Sequence, residues 1–209
     1  MKRGGYQFDW LQHMLLMGFI LVHACNELNW QDGRHFLDVG AGSAKLALDI
    51  LAIHPQSKIT LFDLPHCCTA IQMQLIDAAG FDESNHSQSI KFLPGDMNTT
   101  LFGGPYQIIL ASMSLYFATN LQYCLNRLWT SLSPGGTLIS FHESLNQERT
   151  QPEFHVLGRL PAELANGQLS IESNQIEEAL KANHPARLDT RQIPTPFGEM
   201  TLIIAHKLI

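Results

Sequence analysis

Short apolar runs, most of them closed by glycine, proline or an acid, alternate along the chain with segments whose apolar positions fall three and four residues apart. The runs read as strands: HFLDVG (35–40), KITLFDL (58–64), SIKFLPGD (89–96), YQIILASM (106–113), TLISFHE (137–143), ARLDTRQIP (186–194) and EMTLIIAHK (199–207). Several are apolar throughout, as strands covered on both faces must be. The segments between read as helices over 43–54, 66–79, 120–132, 151–165 and 173–183, the first ending at His54-Pro55 and the third before SPGG (133–136). Strand and helix in alternation with short connections predict an α/β fold, a parallel sheet with helices on both faces. TPFG (195–198) leaves no room for a crossover helix, so the last two strands should form an antiparallel hairpin.

Before the first strand, Lys2-Arg3 and the run MLLMGFILV (14–22) have the look of a lipoprotein signal. Asp9, Gln12 and His13 interrupt it, His23 sits badly beside a cleavage point, and the run is shorter than a bilayer span. It reads instead as an amphipathic helix around 8–25, giving an N-terminal helical segment over 1–30 packed on a domain over 31–209.

Composition narrows the function classes. With 209 residues, 45% of them hydrophobic, the chain can bury a full core. Thirteen Lys and Arg against 19 Asp and Glu leave a net charge of −6 and no basic stripe to track a phosphate backbone, so nucleic acid is not an expected partner. Cys25, Cys67, Cys68 and Cys124 form no C-x-x-C pair and read as reduced thiols of a cytoplasmic protein. The ten histidines show no metal spacing, and no metal is expected.

The stretch FLDVGAGSAKLALDI (36–50) places a glycine turn between the first strand and first helix. Such a turn holds nucleotide phosphates, a dinucleotide pyrophosphate or S-adenosylmethionine. No G-x-x-x-x-G-K-[ST] string occurs, and a dinucleotide fingerprint from Gly40 would need a small residue where Lys45 stands. DVGAGSA (38–44) fits the [DE]-x-G-x-G-x-G turn for S-adenosylmethionine, with Asp38 as its acid and Ala44 in place of the last glycine. Gly40 and Gly42 let the backbone approach the ligand, and Ala44 is tolerable if its φ is negative. About 21 residues beyond the turn, Asp63 ends the second strand beside Leu64, where an acid accepts both ribose hydroxyls. At the end of the third strand, Asp96 is placed for the adenine amino group and Met97 as an apolar plate.

With these residues in view, the chain resembles the class I S-adenosylmethionine-dependent methyltransferases. Among them it is similar to the small-molecule O-methyltransferases of secondary metabolism, the caffeate, polyketide, phenazine and carotenoid types. LDVGAGSAKLALDIL, ITLFDLP, FLPGDM, LNRLWTSLSPGGTLIS and TLIIAHK carry the resemblance. It implies a Rossmann-like doubly wound sheet of seven strands in the order 3-2-1-4-5-7-6 with the last antiparallel. It further implies S-adenosyl-L-methionine held by Gly40, Asp63, Asp96, Met97 and Ser112, and a small aromatic or polyketide-like acceptor.

The sequence departs from that family at two places. Members carry a separate N-terminal helical domain where this sequence offers only the helix around 8–25, which implies a more open pocket or cover by a second chain, such as a homodimer partner. In the L-H-D-W-S-D motif whose histidine is the family's general base, this chain reads LYFATN (115–120), with Tyr116 at the histidine and Phe117 at the aspartate. A phenol with a pKa near ~10 is a poor base at neutral pH.

His142 and Glu143 in SFHES are the local substitutes; one of them should face the pocket, because neighbours on a strand alternate. Tyr116, His142 and Glu143 are therefore the catalytic candidates. His155, on the lid helix, reads first as structural. Met113, Tyr116, Phe117 and Phe154 would form an apolar wall for a flat acceptor. A cofactor-binding protein of this fold that transfers no methyl, as a pseudoenzyme, partner subunit or cyclase, is the alternative. An NAD-dependent oxidoreductase survives only through the G-x-G turn and Asp63.

Overall fold

Every apolar run expected to be a strand forms one. In the computed structural model, which describes residues 33–77, 89–167, 169–195 and 198–209, β1 (His35–Val39), β2 (Lys58–Asp63), β3 (Ile90–Pro94), β4 (Tyr106–Ser112), β5 (Leu132–His142), β6 (Arg187–Thr195) and β7 (Gly198–His206) build one sheet. Its order is β3-β2-β1-β4-β5-β7-β6. β1 to β5 run parallel, and β7 lies between β5 and β6 and is antiparallel to both. This is the α/β, Rossmann-like doubly wound sheet with the predicted strand order. The expected helix around 8–25 and Cys25 lie outside the described residues.

The helices are α1 (Lys45–Ile53), α2 (Pro65–Asp77), α3 (Leu121–Ser131), α4 (Glu153–Asn166) and α5 (Gln175–Lys181). Alternation along the strands sorts side chains to the two faces. From β1 and β4, Leu37, Val39, Ile109 and Ala111 pack with Leu125 and Leu128 of α3 and Leu180 of α5. Phe36, Ile108 and Leu110 pack on the other face with Ala47 and Ile50 of α1 and Ile71 of α2. Each of these is under a tenth exposed, which is why the strands lack polar alternation. Among the described residues no helix is long and apolar enough to cross a membrane.

β5 starts at Leu132, inside the stretch expected to be a turn. Leu132 pairs with Tyr106, and the register shifts before Thr137 meets Ile108. Gly135, at φ +69, takes up the irregularity that SPGG suggests, and Gly136 keeps the strand close to Ser133, whose carbonyl oxygen would lie 2.9 Å from an added Cβ. Because β1 to β4 run parallel, their C-terminal ends gather at one edge, where an open α/β sheet places its ligand.

Candidate functional site

A cavity of about 710 Å³ opens at that edge. The glycine turn forms one side of it. Gly40 and Gly42 adopt φ of +70° and +62°, in the left-handed region that only glycine enters without strain. Gly40 is also sterically required, since an added Cβ would lie 2.5 Å from the Cβ of Ser114. Gly42 has nothing within 4 Å of that position, so its backbone stays open to a ligand. Ala44 has φ −90 and, 5% exposed, turns its methyl into the core.

Asp63, at the end of β2, braces the turn. One carboxylate oxygen accepts from Gly42 N at 2.9 Å and the other from Leu64 N at 2.7 Å. Asp96 follows β3; its Oδ1 accepts from the backbone and side-chain nitrogens of Asn98 at 2.8 and 2.9 Å. Asp38 sits under the turn at the end of β1, 5% exposed, and among the described residues no hydrogen bond serves its carboxylate. Burial, with a smaller push from Asp63, raises its pKa to about 7.

Asp38, Gly40, Gly42, Asp63, Leu64, Asp96, Met97 and Ser112, the eight residues expected to bind cofactor, all line this one cavity. Met113 and Phe117 line it as well, while Tyr116 does not and Phe154 is half exposed elsewhere. Ser114 contributes a buried hydroxyl that has no hydrogen-bond partner among the described residues. No group of three or more His, Cys, Asp or Glu among the described residues is arranged to hold a metal.

The catalytic candidates lie behind the wall of the cavity, and none of the three lines it. β5 ends at His142, so strand alternation no longer governs Glu143, and both side chains turn inward. His142 Nε2 accepts from Ser114 N and Leu115 N, each at 3.1 Å, which places its proton on Nδ1, donated to Ser140 Oγ at 2.9 Å. Burial lowers its pKa to about 3, so the ring is a neutral acceptor that pins the chain after β4. The Tyr116 hydroxyl donates to Glu143 Oε2 and accepts from Glu143 N at 3.1 Å. Burial and then the Glu143 charge push that phenol well above its ordinary pKa. It stays protonated and acts here as a hydrogen-bond donor to Glu143.

With the geometry in place, comparison with known proteins gives a consistent picture. Residues 14–165 match the profile of the O-methyltransferase domain. The chain belongs to this O-methyltransferase family. Over 175 residues, 82% of this chain and 48% of the relative, it is 27% identical to the S-adenosyl-L-methionine-dependent methyl transferase PigF of Serratia sp.. It is 25% identical over 134 residues, 64% of this chain and 38% of the relative, to the tetracenomycin polyketide synthesis 8-O-methyl transferase TcmO of Streptomyces glaucescens. The chain thus spans half or less of the length of these curated relatives. A solved O-methyltransferase family protein from Burkholderia thailandensis shares the fold at a TM-score of 0.70 and 16% identity, covering 94% of this chain and 58% of that one.

In this member of the O-methyltransferase family three further residues organise the site. Arg159, on α4, lines the cavity and donates through Nε to Glu143 Oε1 at 2.7 Å and through Nη2 to the same oxygen. Its guanidinium lies 3.3 Å above the Tyr116 ring. Burial alone would raise the Glu143 carboxyl, but Arg159 and the Tyr116 hydroxyl outweigh it and hold the group below the usual carboxylate range. Asn98 ties two loops together, donating to Asp96 and to Phe117 O at 3.0 Å while its Oδ1 accepts from Thr119 N at 2.8 Å. Arg127 of α3 donates to Met97 O at 2.7 Å and to Thr100 O, clamping the loop after β3. His155, the lid-helix candidate, meets Glu199 O at 3.2 Å and is structural.

Proposed function

We propose that the chain binds S-adenosylmethionine and methylates an oxygen of a small aromatic or polyketide-like acceptor in the cytoplasm. The observation that carries this reading is the convergence of all eight expected cofactor residues on one cavity of about 710 Å³, in the size range of small-molecule sites. The residues fit the group. Asp63 has lone pairs left for two ribose hydroxyls, and the Oδ2 of Asp96 is free of hydrogen bonds among the described residues and can receive the adenine amine. Met97 and Phe62 offer apolar surface for the ring. The buried Asp38 carboxylate answers the ammonium of the methionine portion. The donor's sulfonium supplies an electrophilic methyl; this chain's residues orient it, exclude water and seat the acceptor in line.

Calorimetry with S-adenosylhomocysteine, S-adenosylmethionine and NAD tests the proposal. Binding of the first two and not of NAD is expected; binding of NAD alone overturns it. Cover of the pocket by a second chain belongs to the same reading, and sedimentation with and without S-adenosylhomocysteine checks it. One observation favours a second reading, a cofactor-binding protein that transfers no methyl. Tyr116, His142 and Glu143 are committed to one another, to Ser140 and to backbone, none of the three lines the cavity, and the cavity's lining includes no histidine among the described residues. Methyl release from donor in the presence of an acceptor panel separates the two.

A further inference from the structure

We infer that the acceptor enters as an oxyanion, a carboxylate or an acidic phenol or enol already ionised at neutral pH, and that Arg159 holds it. This rests on the methyl-transfer reading. Two cations line the cavity among the described residues, Lys45 and Arg159. Lys45 belongs to the glycine-turn end and is bound to both oxygens of Asp49 at 2.5 and 2.7 Å on the surface. Arg159 is different. Two of its nitrogens grip a single oxygen of Glu143 and its face rests on Tyr116, so the guanidinium plane is fixed before any ligand arrives. Its Nη1 carries no hydrogen bond among the described residues, and the side chain is only 15% exposed, where a charge-assisted bond is stronger than in water.

The other end of the cavity sorts ligands by charge. Asp63 and Asp96 line it with the buried Asp38, while Asp49 is neutralised by Lys45; the carboxylates attract a cationic donor and repel an anion. A negatively charged acceptor is thereby directed toward Arg159, which rests on Tyr116 in the segment after β4, with Met113 and Phe117 of that segment also lining the cavity. An ionised acceptor also removes the need for a base. The oxygen uses its own electron pair to form the O–CH₃ bond, while the CH₃–S bond breaks with its pair passing to sulfur. Anion and sulfonium become a neutral ether or ester and a thioether, and no proton has to leave.

The test uses the full chain saturated with S-adenosylhomocysteine and two pairs of probes. Benzoate is compared with benzamide by calorimetry, and 4-nitrophenol, whose two ionisation states absorb differently, with 4-nitroanisole. Each anion is expected to bind about tenfold or more tightly than its neutral counterpart, and bound 4-nitrophenol should ionise at lower pH than free. Arg159→Met should abolish both effects while S-adenosylhomocysteine still binds. Glu143→Gln, which leaves the guanidinium less neutralised, should keep or strengthen the anion preference, and it decides the matter if Arg159→Met does not fold. Equal binding of anions and isosteres, no binding of either, or a preference that persists in folded Arg159→Met overturns the inference and leaves the cofactor reading standing. Failure to bind S-adenosylhomocysteine removes both.

Discussion

At the glycine-turn end, the cavity is bounded by carboxylates that meet main-chain amides, as Asp63 meets the amides of Gly42 and Leu64. At the end formed after β4, Arg159, Glu143 and Tyr116 close on one another over separations of 16 and 27 residues. The first end keeps acceptor capacity for a ligand, because a carboxylate oxygen can serve two donors at once. The second has used its capacity internally and offers one fixed guanidinium edge. Exchangeable groups suit a ligand that must arrive and depart each turnover; a pre-formed network suits a group whose task is to hold direction.

The sharpest way to break this contrast is to unbalance the closed end. Arg159→Met leaves Glu143 buried without its counter-ion, and urea unfolding should report a loss of about 3–5 kcal/mol. Arg159→Met combined with Glu143→Gln should recover much of that, because no buried charge is then stranded. A loss under about 1 kcal/mol in the single variant would mean that the network is not a unit. The open end should respond differently at its two glycines. Gly40→Ala meets both a left-handed backbone and Ser114, so thermal unfolding should register about 2–3 kcal/mol along with lost S-adenosylhomocysteine binding. Gly42→Ala faces open space, and its cost should be about 1–2 kcal/mol, felt mainly in affinity.

Two smaller effects sharpen the comparison. Tyr116→Phe removes a hydrogen bond to a buried carboxylate, about 1.5 kcal/mol, yet turnover of an ionised acceptor should persist because the phenol takes no proton. Asp38 should set the pH response of the open end. Its pKa in the fold, about 7, lies above the ordinary value of 3.8, so the folded chain keeps a proton that the unfolded chain has released. Ligand-free stability should therefore fall as pH rises from about 4 to 7 and then level off. A ligand ammonium beside Asp38 favours the ionised form, so S-adenosylhomocysteine affinity should weaken about tenfold from pH 8 to pH 6. In Asp38→Asn, calorimetry should find both dependences flattened.

The open end was legible in the sequence because its residues stand at the ends of consecutive strands. A glycine turn, an acid at the end of β2 and another after β3 follow from strand ends, and strand ends follow from apolar runs. The closed end was not legible. Helix α4 buries His155 and turns Arg159 inward, four residues apart, while Phe154, Leu157, Leu160 and Leu164 stay about half exposed or more. That reverses the rule by which a helix's inward face is read, and the spacing of 155 and 159 was the signal available. Strand alternation misled at His142 and Glu143 because β5 stops between them. The early start of β5 was hidden by SPGG, whose glycines signal a turn yet here let the strand shift register.

The position of β7 has a consequence in time. β6 pairs with β7 alone, and β7 must reach β5 to bring it in. A nascent chain that has emerged only through β6 therefore holds a five-stranded sheet with β5 as a bare edge, and the strand just made has nothing to join. Completion waits for Gly198–His206 to slide between two strands made before it, a late insertion of high sequence separation. Until it arrives the growing chain exposes a strand edge along β5 that other chains can pair with, and its arrival moves that edge outward to β6.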